Sequence, residues 1–281
     1  MRQPLGQHFL REPKVVEAIL EAAELKKTDR ALEIGPGKAI LTEPLASRVS
    51  HLTAIELDRE LAAALKKRFQ ESTKIEIVQQ DFLKANLAEL FPAVNGPIKV
   101  LGNLPYSITA PIFEKLLAWP GWETGVFLVQ REVAERLGAD HGSKAFGILS
   151  LAVQVFADVE TMMIVPPSAF APPPKVHSAV IRIKRRKEST LPAEDLLGFF
   201  DFARAAFAHR RKTVVNSLEM ATEIPKKQLS EWLQSQQLNP SLRAEAIALT
   251  DYVRIARPWA IFRRETELTL RAPTSTISKL F

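Results

Sequence analysis

Ala31-Leu32-Glu33-Ile34-Gly35-Pro36-Gly37 is a short apolar run that ends in two glycines around a proline. The run reads as a buried β-strand and the glycines as the turn leaving it, with a helix expected from about Lys38 through Ile40, Leu41, Leu45 and Ala46. Such a turn lets an adenosine-bearing ligand approach the backbone where a side chain would clash, although a glycine turn without a ligand reads the same. A nicotinamide fingerprint would need a third glycine at position 40, which is Ile40, so the dinucleotide pattern fails.

Outward from this turn, strands and helices alternate. Residues 50–56 form the next strand, and a helix follows over 58–69 with Leu61, Ala62, Leu65 and Phe69 on one face. Ile75–Val78 and Ile98–Leu101 are further strands, the second ending just before Asn103. Gly125–Val129 is a fifth, followed by a helix from Gln130 to Leu137. Ile148–Phe156 fits helix and strand equally, while Met162–Val165 and Val176–Ile183 alternate as a closing hairpin does. The pattern implies an α/β fold with a mostly parallel sheet, covered on both faces and antiparallel at one end. Residues 185–195 are polar and contain a proline, and beyond them the period is helical over 192–208, 210–220, 226–236 and 243–256. Two domains are therefore expected, residues 1–187 and a small, basic, all-α one over 188–281. Pro166-Pro167 and Pro172–Pro174 read as a rigid loop within the first.

Residues 1–181 carry 20 lysines and arginines against 21 acidic residues, and residues 182–281 carry 18 against 11. The whole formal excess of +6 thus lies in the last third. That asymmetry favours a polyanionic partner there, although a basic solvated face has the same composition. Cysteine is absent, which excludes thiolate zinc sites, iron–sulfur clusters and cysteine nucleophiles. No stretch approaches the roughly 18 uncharged apolar residues of a membrane span, and residues 1–13 hold no apolar signal core. A soluble, cytoplasmic protein without membrane contact is expected.

Glu56 lies 21 residues after Gly35 at a strand end, where a carboxylate can accept from both hydroxyls of a ribose. Asp58 is the alternative; Glu56 is preferred as nearer the strand end. Asp81-Phe82 follows the third strand and offers a carboxylate for an adenine amino group beside a ring or backbone for its face. These acids in register along one sheet edge suit a nucleoside without a pyrophosphate clamp. S-adenosylmethionine fits, its sulfonium carrying both the charge and the reactive methyl. Asn103-Leu104-Pro105-Tyr106 ends the fourth strand. An amide oxygen and a proline-held carbonyl form two close acceptors, and the tyrosine adds a π surface. They suit a planar amine with two N–H donors, such as adenine N6; in isolation the tetrapeptide also reads as a turn.

With these residues in place the chain resembles the bacterial rRNA adenine N6-dimethyltransferases, which modify two adjacent adenosines near the 3′ end of small-subunit rRNA. Leu5-Gly6-Gln7-His8-Phe9-Leu10 resembles the family's opening motif, Glu33–Gly37 its cofactor loop, Glu56 and Asp81-Phe82 its nucleoside contacts, and Asn103–Tyr106 its catalytic motif. Gln130–Ala134, Gly142-Ser143-Lys144, Phe170 with Pro172–Val176, Arg210–Thr213 and Arg243-Ala244-Glu245 continue the series in order over nearly the whole chain. Two positions depart from the pattern: Ala39 stands where a third glycine is usual, and His8 where asparagine is. A small loop shift is expected to absorb the Ala39 methyl.

The resemblance implies a Rossmann-like class I methyltransferase sheet of seven strands plus a C-terminal helical domain. It implies S-adenosylmethionine as methyl donor, S-adenosylhomocysteine as product and no metal. Gln7, His8, Leu10, Gly35, Gly37, Glu56, Asp81, Phe82 and Asn103 would contact the cofactor. Asn103, Leu104, Pro105 and Tyr106 would carry catalysis, with Tyr106 stacking on the target adenine and Phe170 either closing the clamp or serving the core. Arg210, Arg211 and Lys212, or the Lys184–Lys187 cluster, would position small-subunit rRNA within an assembling small ribosomal subunit. Arg210–Thr213 and Arg243–Glu245 favour this class over the large-subunit adenine methyltransferases of the antibiotic-resistance type. The intact Asn103–Tyr106 motif argues against an assembly factor without catalysis. Oligomeric state has no sequence signature.

Overall fold

The structure, a computed structural model, describes residues 8–92 and 96–267. The chain separates into two compact units, Met1–Glu135 with Ala157–Arg186, and Arg136–Phe156 with Lys187–Phe281. Residues 136–156 therefore go with the second unit, although 1–187 reads as one uninterrupted domain.

In the first unit the elements run β1 Phe9–Leu10, α1 Pro13–Ala22, β2 Arg30–Ile34, α2 Thr42–Ala46, β3 His51–Glu56, α3 Arg59–Arg68, β4 Ile75–Gln79, α4 Leu87–Leu90, β5 Ile98–Asn103, α5 Thr109–Ala118 and β6 Trp122–Gln130. After α6 Arg131–Leu137 and α7 Ile148–Phe156 the chain returns as β7 Ala157–Val165, β8 Phe170–Ala171 and β9 Ser178–Arg185. Seven strands form one sheet in the order β4-β3-β2-β5-β6-β9-β7, while β1 and β8 pair separately. β2 to β6 are mutually parallel, and β9 is antiparallel to both β6 and β7. This is the Rossmann-like class I methyltransferase sheet with its antiparallel end. The order reverses at β2, which lies between β3 and β5. Ligands of open parallel sheets bind at such a switch, beyond the carboxyl ends of the strands. In register, Ile34 lies opposite both Ile55 and Gly102, so the Gly35 turn, Glu56 and Asn103 leave the sheet at one edge.

Three helices lie outside the sequence reading: α1, the one-turn α4 and α5. α1 has Pro13 in its first turn and a Glu12 carboxylate receiving the Lys14 N–H, and it buries Val15, Val16, Ile19 and Leu20 in the core with Leu101, Val126, Leu128 and Val180. α5 buries Ile112, Phe113, Leu116 and Leu117. α2 starts four residues later than expected, because Gly37 and Ala39 hold left-handed backbone at φ +55° and +67°. Such residues cannot continue a right-handed helix. The ambiguous run 148–156 is helix α7. It buries Leu151, Ala152, Val153 and Val155, and its polar Gln154 amide donates to the carbonyls of Leu137 and Ala139.

The second unit adds α8 Leu196–Phe207, α9 Val214–Thr222, α10 Lys226–Ser235 and α11 Leu249–Glu267. Its core is aromatic. The Trp259 ring lies 5.3 Å from Phe202 and 5.2 Å from Trp232, and its indole N–H donates to Asp201 at 2.6 Å. α8 and α11 meet at Gly198, where a Cβ would sit 2.2 Å from the Ala256 carbonyl oxygen and 3.0 Å from the Ala260 Cβ. Backbone cannot swing aside as a long side chain can. Gly198→Ala should therefore cost about 2–3 kcal/mol, despite alanine's better helix propensity. Urea unfolding of the two proteins checks this, and an unchanged midpoint would show that the helices part freely.

Candidate active site

The four chain segments leaving the carboxyl edge of the sheet close around a cleft of about 230 Å³. Glu56, at the end of β3, is 4% exposed and uses both oxygens locally. Its Oε2 accepts the Gly37 N–H at 3.0 Å and its Oε1 the Asp58 N–H at 2.9 Å. The carboxylate is thus held by backbone donors, and the lone pairs they leave remain available to hydroxyl hydrogens. Of the two candidate acids, Glu56 lines the cleft and Asp58 does not. The Asp58 Oδ1 instead caps α3 through the Glu60 and Leu61 N–H groups at 2.8 and 3.1 Å.

Asp81 and Phe82 also line the cleft. The Asp81 Oδ1 accepts the Leu83 N–H at 2.9 Å and so opens a one-turn helix at Phe82–Lys84. Lys115 on α5 supports that turn from behind, its Nζ donating to the Leu83 carbonyl at 2.9 Å. Burial pulls the Lys115 pKa down and the Asp81 charge opposes it.

Glu33 is the least ordinary group in the cleft. It is 2% exposed, and its Oε2 has no hydrogen-bond partner. Burial pushes its pKa up to about 8; the nearby Thr42 hydroxyl opposes that rise and the Glu56 charge adds to it. The Thr42 hydroxyl oxygen is itself buried without a hydrogen-bond partner.

Asn103 is the last residue of β5, and its Nδ2 donates to the His8 carbonyl at 3.0 Å. That bond fixes the amide plane, and the Oδ1 makes no hydrogen bond among the described residues. Next along, the Leu104 N–H donates to the Leu128 carbonyl at 3.0 Å, and the Pro105 carbonyl receives the Ile108 N–H and the Thr109 hydroxyl. The Leu104 carbonyl takes part in neither bond. Tyr106 follows, half-buried, its hydroxyl 2.6 Å from Ser178 Oγ and its ring 5.7 Å from that of His8 at a 30° tilt. Burial raises the Tyr106 pKa and the Ser178 hydroxyl partly offsets it.

This edge unites an acid clamp, a glycine turn and an amide oriented for an amine, and the sequence model of the family described as ribosomal RNA adenine dimethylase matches residues 1–260. The chain belongs to the ribosomal RNA adenine dimethylase family. It is 40% identical over 264 residues to Ribosomal RNA small subunit methyltransferase A of Nostoc sp. (strain PCC 7120), covering 91% of this chain and 96% of that one. To the protein of the same name from Salmonella newport it is 39% identical over 256 residues, covering 91% and 92%. Among solved structures it is similar to a dimethyladenosine transferase from Plasmodium falciparum, with a TM-score of 0.75, 26% identity and 90% and 98% coverage. The 23S rRNA methyltransferase ErmE is similar at a TM-score of 0.69 and 28% identity, over 90% of this chain and 99% of that one. Membership makes the chain an S-adenosylmethionine-dependent methyltransferase.

The expected site residues of this dimethylase-family chain divide clearly. Gly35, Gly37, Glu56, Asp81, Phe82, Asn103, Leu104, Pro105, Tyr106, His8 and Leu10 all line the cleft. Gln7 lies outside the described residues. Phe170 is not brought there: it is 4% exposed and packs in the core with Leu10, Val165 and Ala169, because pairing opposite Leu10 turns its side chain inward. The core alternative for Phe170 therefore fits, and His8 is the aromatic ring beside Tyr106. Arg210 is exposed and engages part of its guanidinium within the second unit. Its Nη2 donates to the Lys144 and Phe146 carbonyls at 2.9 and 3.1 Å, bracing a loop of the second unit. Arg211 and Lys212 are exposed, in a turn before α9 rather than within the helix expected over 210–220.

Ala39 holds left-handed backbone at φ +67°, a conformation that glycine adopts without strain. That conformation costs a non-glycine residue about 1–2 kcal/mol. The methyl is buried with Ala54, Ala62, Leu65 and Ile77, away from the cleft. Gly37 has no such latitude, since a Cβ there would meet the Phe9 ring at 3.2 Å and its φ is +55°. Lys115 and Ser178 are the site residues sequence reasoning missed, and Glu33 was read only as part of the cofactor loop. Glu33 had a signal, a charge inside an apolar strand; the others acquire their roles only through distant partners.

Proposed function

We propose that this chain transfers methyl groups from S-adenosylmethionine to N6 of two adjacent adenosines near the 3′ end of small-subunit rRNA, giving N6,N6-dimethyladenosine. The substrate is a small subunit still being assembled, in the cytoplasm, and the chain serves that assembly as well. The observation that carries this reading is the Asn103 amide. Its nitrogen is spent on the His8 carbonyl, so its oxygen and the neighbouring Leu104 carbonyl remain as two acceptors in the cleft that Glu56 and Asp81 also line.

The residues present fit the cofactor. Glu56 and Asp81 would hold its ribose and adenine, the Gly35–Gly37 turn admits it to the backbone, and Glu33 presents an orphaned carboxyl oxygen to a cationic ligand. When bound, the cofactor supplies a transferable methyl on positively charged sulfur. Asn103 and Leu104 then accept the two N6 hydrogens and favour a more tetrahedral nitrogen, with its lone pair free to attack. They also stabilise the positive charge that develops there. No general base is needed, because the N6 proton becomes acidic as the new N–C bond forms. In the second transfer the amine offers one N–H, so only one acceptor is used and the other side must admit a methyl. Tyr106 stacks on the extruded base, a contact worth roughly 1–3 kcal/mol that offsets its removal from its neighbours. Arg211 and Lys212 on the second unit meet rRNA phosphates.

The similarity to a 23S rRNA methyltransferase supports a second reading, an adenosine of large-subunit rRNA. The 39–40% identity to small-subunit methyltransferases favours the first. Incubation of labelled methyl donor with a mixture of undermethylated small subunits and large subunits, followed by mapping of the label, decides between them. Label on two adjacent adenosines near the 3′ end is expected. Label confined to large-subunit rRNA, or none despite subunit binding, would overturn the reading.

A further inference from the structure

Tyr106 raises a question that stacking alone does not answer, since phenylalanine would present the same π face to a base. The hydroxyl must be explained, and a half-buried phenol needs a partner. That partner is Ser178, 2.6 Å away, 72 residues along the chain and 0% exposed. Among the described residues each hydroxyl has this one hydrogen-bond partner. A buried hydroxyl left unpaired is costly, so each residue accounts for the other.

Their supports differ. Tyr106 opens a one-turn helix, Tyr106–Ile108, in the loop after β5, where a ring turns freely unless it is held. Ser178 is the first residue of β9 and is paired on both sides, opposite Gln130 of β6 and Val165 of β7. Its Oγ is therefore placed as rigidly as the interior of the sheet, and a site group is best fixed from such an element.

We propose that Ser178 is a positioning residue that sets the plane of the Tyr106 ring and thereby the angle at which the acceptor base is held. The pair acts on the nucleophile's side of the reaction and not on the cofactor. This rests on the reading above that Tyr106 stacks on the target adenine. A ring held in place before the base arrives loses less freedom on stacking, so the benefit appears in kcat/KM for the RNA substrate.

The chain has two tyrosines, Tyr106 and Tyr252, the second buried in the other unit and bonded to the Ala244 carbonyl. Full-length protein labelled with 3-fluorotyrosine should give separable fluorine resonances, assigned by Tyr106→Phe. In Ser178→Ala the Tyr106 resonance should shift and broaden while that of Tyr252 stays. With undermethylated small subunits, Ser178→Ala and Tyr106→Phe should each lower kcat/KM about 5- to 10-fold, the value of one hydrogen bond in a site. The double variant should be no worse than either, and the Kd for S-adenosylhomocysteine should not change. Should Ser178→Ala fold poorly, Tyr106→Phe alone carries the kinetic test, because it removes the same bond from the other end. An unmoved Tyr106 resonance, additive losses, or full activity in Tyr106→Phe would overturn the assignment. The fluorine experiment uses no RNA, so it stands even if the wild-type protein labels no small-subunit adenosine, which would count against the proposed function instead.

Discussion

Asn103→Ala should lower the single-turnover rate of methyl transfer on the order of 100-fold or more, equivalent to about 2.7 kcal/mol of barrier. Two effects contribute. The variant loses the Oδ1 acceptor that holds N6, and it releases the His8 carbonyl, which receives the Asn103 Nδ2 at 3.0 Å. Asn103→Asp separates them: it keeps an acceptor oxygen in the cleft but aims a second oxygen at that same carbonyl. Repulsion there should loosen residues 8–11, which are otherwise tied down by pairing of Phe9 and Leu10 with Ala171 and Phe170 and by the Arg11 N–H to the Ala169 carbonyl. Both variants should therefore be slow, and Asn103→Asp should also bind S-adenosylhomocysteine more weakly, measurable by calorimetry. Wild-type turnover in Asn103→Ala would remove the amide from the mechanism.

The second large effect is on stability. In the folded chain Glu33 keeps its proton to about pH 8, against a reference value of 4.5. Between these limits the unfolded chain has released the proton and the folded chain still holds it, so the unfolded state binds fewer protons. Stability must then fall as pH rises through this window, by up to about 1.4 kcal/mol per unit and a few kcal/mol in all. Glu33→Gln has nearly the same shape and cannot ionise. It should melt several degrees above wild type at pH 8 and at nearly the same temperature near pH 4.5. Parallel melting curves at the two pH values would show that Glu33 is ionised in the folded protein. A cationic ligand near the orphaned Oε2 favours the charged carboxylate, so a stability cost in the free protein becomes a contribution to binding.

Much of the site was legible because strand ends are local events. Gly35 and Gly37 mark the end of β2, and Glu56, Asp81 and Asn103 each close or follow a strand at a position read from apolar run length. If the strands are parallel, their carboxyl ends must share an edge, so four motifs far apart in sequence converge without any knowledge of contacts. The start of α2 was misplaced because apolar periodicity is blind to the sign of φ, and Gly37 and Ala39 both adopt the left-handed region. Phe170 stayed open between clamp and core, and the anchoring of Arg210 went unread, for a related reason. Residue type sets what a side chain can do, but the ring that could clamp a base is buried beside Leu10, and one nitrogen of the guanidinium that could meet phosphate is engaged by two carbonyls.

The sequence by itself determined the alternation of strand and helix, the edge at which the cleft opens, the residue types lining it, and a basic second unit. Only the tertiary structure decided which way the Asn103 amide faces, that Glu33 is an unpaired buried acid, and that Tyr106 is held by Ser178. Periodicity and turn chemistry are set by neighbours a few residues away. A side chain's partner and its access to water are set by strand order, which brings His8 to Asn103 across 95 residues and Ser178 to Tyr106 across 72.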